Sequence, residues 1–131
     1  MRKKWAATLA AVVGLFLGAF VVPSAALAVP SGCLAAYICS WTGPGFTGSL
    51  YQWSGGYIRQ RPGHCLNLTG TINNSITSGY NNAGGAPGYV MWFSDAGCTG
   101  AYNSGAIYTS GSFSYPASDP RNDKYSSIYV P

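Results

Sequence analysis

An all-β fold made of two Greek-key halves packed face to face is predicted by three features of the 131-residue chain. Short runs rich in Tyr, Trp, Val, Ile and Thr alternate with closely spaced Gly and Pro, and few stretches keep a helical period. Two unrelated motifs each occur twice, in the same order and at nearly the same interval. Four cysteines, an even number, suit a small exported domain held by disulfides.

The elements follow in order. "MRKKWAATLAAVVGLFLGAFVVPSAALA", residues 1–28, reads as a signal peptide: Arg2, Lys3 and Lys4 precede an apolar run, and Ala26-Leu27-Ala28 makes a small-residue cleavage site. The run, from about Ala6 to Val22, reaches the minimum of roughly 17 residues for a membrane anchor, but the A-L-A exit favours cleavage. The expected product is 29–131, a secreted, extracellular chain of 131 less 28, or 103, residues with no membrane segment. Its basic residues are Arg59, Arg61, Arg121 and Lys124 and its acidic ones Asp95, Asp119 and Asp123, so the formal charge of +4 falls to +1. No basic stripe remains to neutralise a run of phosphates, which argues against a nucleic-acid partner.

The first key spans about 33–82 and holds the strand-like runs "AAYICSW", "SLYQW" and "ITSGY". "NNAGGAPG" has no apolar period, and about 83–88 reads as a linker. The second key, about 89–131, holds "GYVMWF", "GAIYTS" and "SSIYV". Within each key comes first a folded-hairpin frame, "WTGPGFTG" (Trp41 to Gly48) and "FSDAGCTG" (Phe93 to Gly100), with Cys98 in the place of the second aromatic. Later comes a hexapeptide, "NNSITS" (Asn73 to Ser78) and "NDKYSS" (Asn122 to Ser127). The frame glycines are 52 positions apart and the hexapeptides 49, so one unit has been written twice.

Cys33, Cys39, Cys65 and Cys98 allow three pairings. Cys33 and Cys39 are near enough for a local staple, which would leave Cys65 and Cys98 to close a loop worth about 3–4 kcal/mol.

The aromatic-x4-aromatic-x-Gly frame with its later hexapeptide resembles the Greek-key motif of the βγ-crystallin superfamily. With "SGCLAAYICSWTGPGFTG", "GHCLNL" and "DAGCTG", the chain is similar more narrowly to peptidase inhibitor family I36, small secreted actinobacterial proteins. The resemblance covers Gly32 to Val130. It implies a βγ-crystallin-like sandwich and pairing of Cys33 with Cys39 and Cys65 with Cys98.

The same resemblance implies oxygen ligands for calcium, each site completed by the hairpin of the opposite key. By position, Asn73, Asn74 and Thr77 would form one site, and Asn122, Asp123 and Ser126 the other. With one carboxylate between them, beside Lys124, they would bind in the weak range of about 10⁻⁴–10⁻³ M, or one would not bind. The alternative role is structural: Asn and Asp cap turns, while Ser78 and Ser127 hydrogen-bond the folded hairpins. No other cofactor is expected.

If the likeness extends to function, a monomer would block a secreted protease, in the first place a metalloprotease. The best-known type of member carries its reactive segment between two closely spaced late cysteines; here Cys65 and Cys98 are 33 positions apart, so no reactive bond transfers. Rigid candidates are "RQRPGHC", with Arg59, Arg61 and His64, and "SDAGC" (Ser94 to Cys98), each otherwise an ordinary surface turn. An enzyme is not expected. The chain has one histidine, no glutamate, and cysteines that all have prospective partners. The alternative to inhibition is a calcium-binding or purely structural extracellular module.

Overall fold

The computed structural model describes residues 28–84 and 88–131. The expected signal peptide, but for Ala28, and the middle of the expected linker lie outside the described residues. Strands β1 (Tyr37–Gly43) and β2 (Thr47–Ser54) form the first folded hairpin, followed by helix α1 (Gly55–Arg59), β3 (Cys65–Asn67) and β4 (Ser78–Asn81). The second half runs β5 (Tyr89–Asp95), β6 (Thr99–Asn103), β7 (Ile107–Tyr108), β8 (Ser112–Ser114) and β9 (Ser127–Tyr129).

Two antiparallel sheets result, in the orders β2-β1-β4-β8 and β3-β9-β5-β6, with β7 on the far part of β5. The orders correspond term by term: hairpin, closing strand, then one strand from the other half. Each half therefore gives one strand away, β3 from the first and β8 from the second. β3 pairs with β9 (Leu66 opposite Ile128) and β8 pairs with β4 (Phe113 opposite Gly79). The exchange ties the halves together through backbone hydrogen bonds as well as through side-chain packing.

The period of two in β1 explains why Ile38, Cys39, Ser40 and Trp41 are all buried. Ile38 belongs to the core between the sheets, with Ile58, Ile76, Val90, Trp92, Tyr125 and Ile128. Cys39 and Trp41 belong instead to a second cluster with Cys33 and Tyr80. The Cys33–Cys39 disulfide draws the segment before β1 over that cluster, and the Asn82 side chain donates to the carbonyls of Cys33 and Leu34. The fold is all-β, and its two disulfides, Cys33–Cys39 and Cys65–Cys98, close loops of 6 and 33 residues.

Candidate functional site

The folded hairpins are fastened alike. Gly45-Phe46 and Gly97-Cys98 all have positive φ, between 56° and 76°, so both tips fold back on their own strands. The Ser78 hydroxyl accepts from the Phe46 N–H (3.2 Å) and donates to the Gly43 carbonyl (2.8 Å). Ser127 repeats this with the Cys98 N–H (3.0 Å) and the Asp95 carbonyl (2.5 Å). The last serine of each hexapeptide thus latches the hairpin of its own half. A second fastening, which sequence reading missed, comes from the exchanged strands: Ser114 accepts from Gly45 N–H (2.7 Å) and Asn67 from Gly97 N–H (2.6 Å).

The other hexapeptide residues meet across the halves. Thr77 Oγ1 lies 2.8 Å from both Asn122 Oδ1 and Asp123 Oδ1, and Ser126 Oγ donates to Asn74 Oδ1 at 2.8 Å. These hydrogen bonds run between the hexapeptides, whereas the expected ligand sets grouped each hexapeptide's own Asn/Asp and hydroxyl. The cause is the packing: Asn74 N–H donates to the Tyr125 carbonyl, so the two turns cross. Asn74 and Asp123, the second residues of the two motifs, both take positive φ (56° and 53°), which Asn and Asp tolerate. Asn73 joins neither bond but lines a cleft with Asn74, Asp95, Asp123, Lys124 and Ser126.

These oxygens fit a calcium ion unequally. Thr77, Asn122 and Asp123 offer three hard oxygens, one of them charged. Asn74 and Ser126 offer no charge, although Asp95 lines the same cleft. Among the described residues no three His, Cys, Asp or Glu side chains converge, so a cation here would rest on amide, hydroxyl and carboxylate oxygens together.

The two rigid segments singled out in the sequence become one corner. Cys65–Cys98 joins them at a Cα separation of 5.9 Å, beside the bond from Asn67 to Gly97. Arg61, Pro62, Gly63 and His64 are exposed at this corner. Gly63 and His64 take φ of 64° and 55°, and the turn is held from both sides: His64 N–H donates to Arg61 (2.9 Å) and its carbonyl accepts from Val130 (3.1 Å). Arg59 is the last residue of α1, its Nε 3.4 Å from the Gly55 carbonyl. Arg61 lies over the Tyr57 ring, 4.4 Å from its centroid, and also meets the Tyr57 hydroxyl.

Arg121 grips Asp119 through two side-chain hydrogen bonds and one from its backbone N–H, and holds its carboxyl at about 2, against an ordinary 3.8. Burial, reinforced by the bond to Tyr115, pushes the Tyr125 hydroxyl well above the ordinary tyrosine range.

Comparison with known proteins agrees with this architecture. A βγ-crystallin structure from work on the evolution of the eye-lens domain fold is 18% identical, with a TM-score of 0.55 over 77% of this chain and 91% of that one. A βγ-crystallin from Ciona intestinalis is 17% identical, with a TM-score of 0.51 over 72% of this chain and 99% of that one. At such identities the likeness is one of fold, and the sandwich is a βγ-crystallin fold. No curated protein matches the chain. The family model for peptidase inhibitor family I36 matches residues 26–104, which include both hairpin frames, all four cysteines and the corner at Cys65–Cys98. With more than half of its length matched, the chain belongs to peptidase inhibitor family I36.

Proposed function

We propose that the protein is secreted and, as a monomer, inhibits an extracellular protease through the corner at Cys65–Cys98. The family match supports inhibition, and the observation that carries the choice of surface is the disulfide that brings Arg61–His64 and Ser94–Cys98 together. An inhibitor gains affinity by presenting a segment already held in its bound shape. This turn is closed by its own hydrogen bond, accepts one from Val130 just past β9, and adjoins a disulfide. All four thiols are spent in disulfides, which leaves no cysteine nucleophile and favours binding over catalysis.

Titrating the exported protein against a thermolysin-like metalloprotease and a subtilisin-like serine protease tests the reading. Loss of activity reaching completion near one equivalent against either supports it. Undiminished turnover with slow digestion of the added protein rejects it.

A second role is favoured by the convergence of Thr77, Asn122 and Asp123: weak binding of one calcium ion that braces the two hexapeptide turns. It is compatible with inhibition and stands or falls separately.

A further inference from the structure

Among the described residues two arginines lie over tyrosine rings, and one of the two also holds an acid. Arg121 sits 4.1 Å from the Tyr115 centroid, and its Nε and Nη2 donate to the two oxygens of Asp119 at 2.9 and 2.7 Å. Stacking on a ring engages the face of a guanidinium and leaves its edge for paired N–H donation to a carboxylate. Arg61 likewise lies over Tyr57, at 4.4 Å, with its Nη2 turned to the Tyr57 hydroxyl and, among the described residues, no acid on its other N–H groups. Asp95, Asp119 and Asp123 are the only carboxylate side chains in the sequence, and none of them lines the space around Arg61.

That space is a cleft of about 480 Å³ between α1 and β3, within the range of small-ligand sites. Trp53 and Tyr57 wall it, and Leu66, Leu68 and Ile72 line it together with the polar Asn67 and Thr69. Leu68 and Ile72 are nearly buried at 6% and 7% exposure, so the lining is fixed by the core. Arg61 is the cleft's one formal charge.

We propose that this cleft binds the free carboxylate of an apolar residue at the end of a peptide. Arg61 would take the carboxylate through the N–H groups not turned to the Tyr57 hydroxyl, and the side chain would lie against Trp53 and Leu66. An apolar ligand without the charge would leave the arginine edge unpaired. A more highly charged anion, such as a phosphate, would find a single cation. The inference does not rest on the inhibitory reading.

Trp53 supplies the readout, because Trp41 and Trp92 are buried elsewhere and their indole resonances serve as controls for the fold. The exported protein is titrated with N-acetyl-leucine and, separately, with N-acetyl-leucinamide, which lacks the carboxylate. A saturable shift of the Trp53 indole resonance is expected with the acid, with a Kd of the order of 1 mM, and binding of the amide at least about tenfold weaker. Arg61→Gln should weaken acid binding by about tenfold or more while Arg61→Lys, which keeps the charge but not the fork, falls between. Equal responses to acid and amide, unchanged binding by Arg61→Gln, or no response up to about 10 mM acid overturns the proposal.

Discussion

The indole N–H of Trp92 donates to the hydroxyl of Ser40 at 2.9 Å inside the core, and the two residues are 52 positions apart. That is the interval between the hairpin glycines, so Trp92 and Ser40 occupy equivalent places in β5 and β1 and face each other between the sheets. Equivalent positions facing across a pseudo-twofold must share one volume. Two indoles would overfill it and two serines would leave a void, so the halves have diverged into a large donor and a small acceptor.

Ser40→Ala should therefore cost about 1–3 kcal/mol, since it leaves a buried N–H unpaired and removes little volume. The same change in a Trp92→Phe background should cost less, because no donor remains to be orphaned. A double-mutant cycle on denaturant midpoints checks this, and purely additive effects would refute the coupling.

Gly79 makes room for the same ring. A Cβ there would stand 3.0 Å from Trp92 Cζ2 and 2.8 Å from Phe113 Cζ. Both neighbours are core rings packed edge to face, 5.0 Å between centroids, and neither can swing into solvent. Gly79→Ala should destabilise by about 1–3 kcal/mol, read from thermal melts. A neutral result would mean that Phe113 repacks freely.

The two disulfides should differ in weight. In the chain-entropy account, closing 33 residues with Cys65–Cys98 contributes about 3.5 kcal/mol, and closing 6 with Cys33–Cys39 about 2 kcal/mol. Paired Cys→Ala variants measured by urea unfolding should reproduce that order. Cys65–Cys98 also fastens the proposed inhibitory corner, so its loss should weaken inhibition well before the domain unfolds. Cys33–Cys39 belongs to a hydrophobic cluster that includes no residue of the corner, and its loss should leave inhibition near that of the parent protein.

The long runs were legible because burial on one face imposes a pattern on them: six sequence runs fall on β1, β2, β4, β5, β7 and β9. β3, β6 and β8 were not. "TGAYN" is exposed along its whole length, and three residues such as "CLN" or "SFS" carry no period. The exchange of β3 and β8 between sheets is decided by pairing with distant strands, on which Cys65–Asn67 is locally silent. The site divides in the same way. Ser78 and Ser127 act within their own halves, and their latching role was readable from the repeat. Thr77 and Ser126 act across the halves, and no single copy of the motif contains that information. Nor does any local pattern connect Arg61 with Trp53, which only the turn after α1 brings to one cleft.

Acid should reveal Asp119. Hydrogen bonds from the Arg121 side chain, and then from its backbone N–H, hold this carboxyl at about 2, while an unfolded chain takes up the proton near 3.8. A depressed carboxylate contributes stability that is complete above the unfolded value and is lost as pH falls through the folded one. The melting temperature should therefore decline between about 3.8 and about 2, and Asp119→Asn should flatten that part of the acid limb. Parallel limbs for the two proteins would show that the pair carries no linked proton.

Calcium should act through Asp123 and hardly at all through Asn74. In the first cluster the Thr77 hydroxyl and the Asn122 amide already engage the two Asp123 oxygens, at 2.8 and 2.9 Å. A cation has to displace those bonds and replace them with its own attraction to one carboxylate, with Lys124 lining the adjoining cleft. The net gain is small, in keeping with a Kd of about 1 mM. At about 10 mM calcium, such a site stabilises by about 1.4 kcal/mol, a rise of roughly 5–10 °C in Tm for a domain of this size. The difference between calcium and chelator should vanish in Asp123→Asn and persist in Asn74→Ala, each compared within its own variant so that any loss of the turn's hydrogen bonds cancels. Equal melting of the parent protein in chelator and in calcium would reduce the Thr77–Asp123 contact to a neutral brace between the halves. A response abolished by Asn74→Ala but not by Asp123→Asn would move the ion to the uncharged cluster and contradict the assignment made from charge.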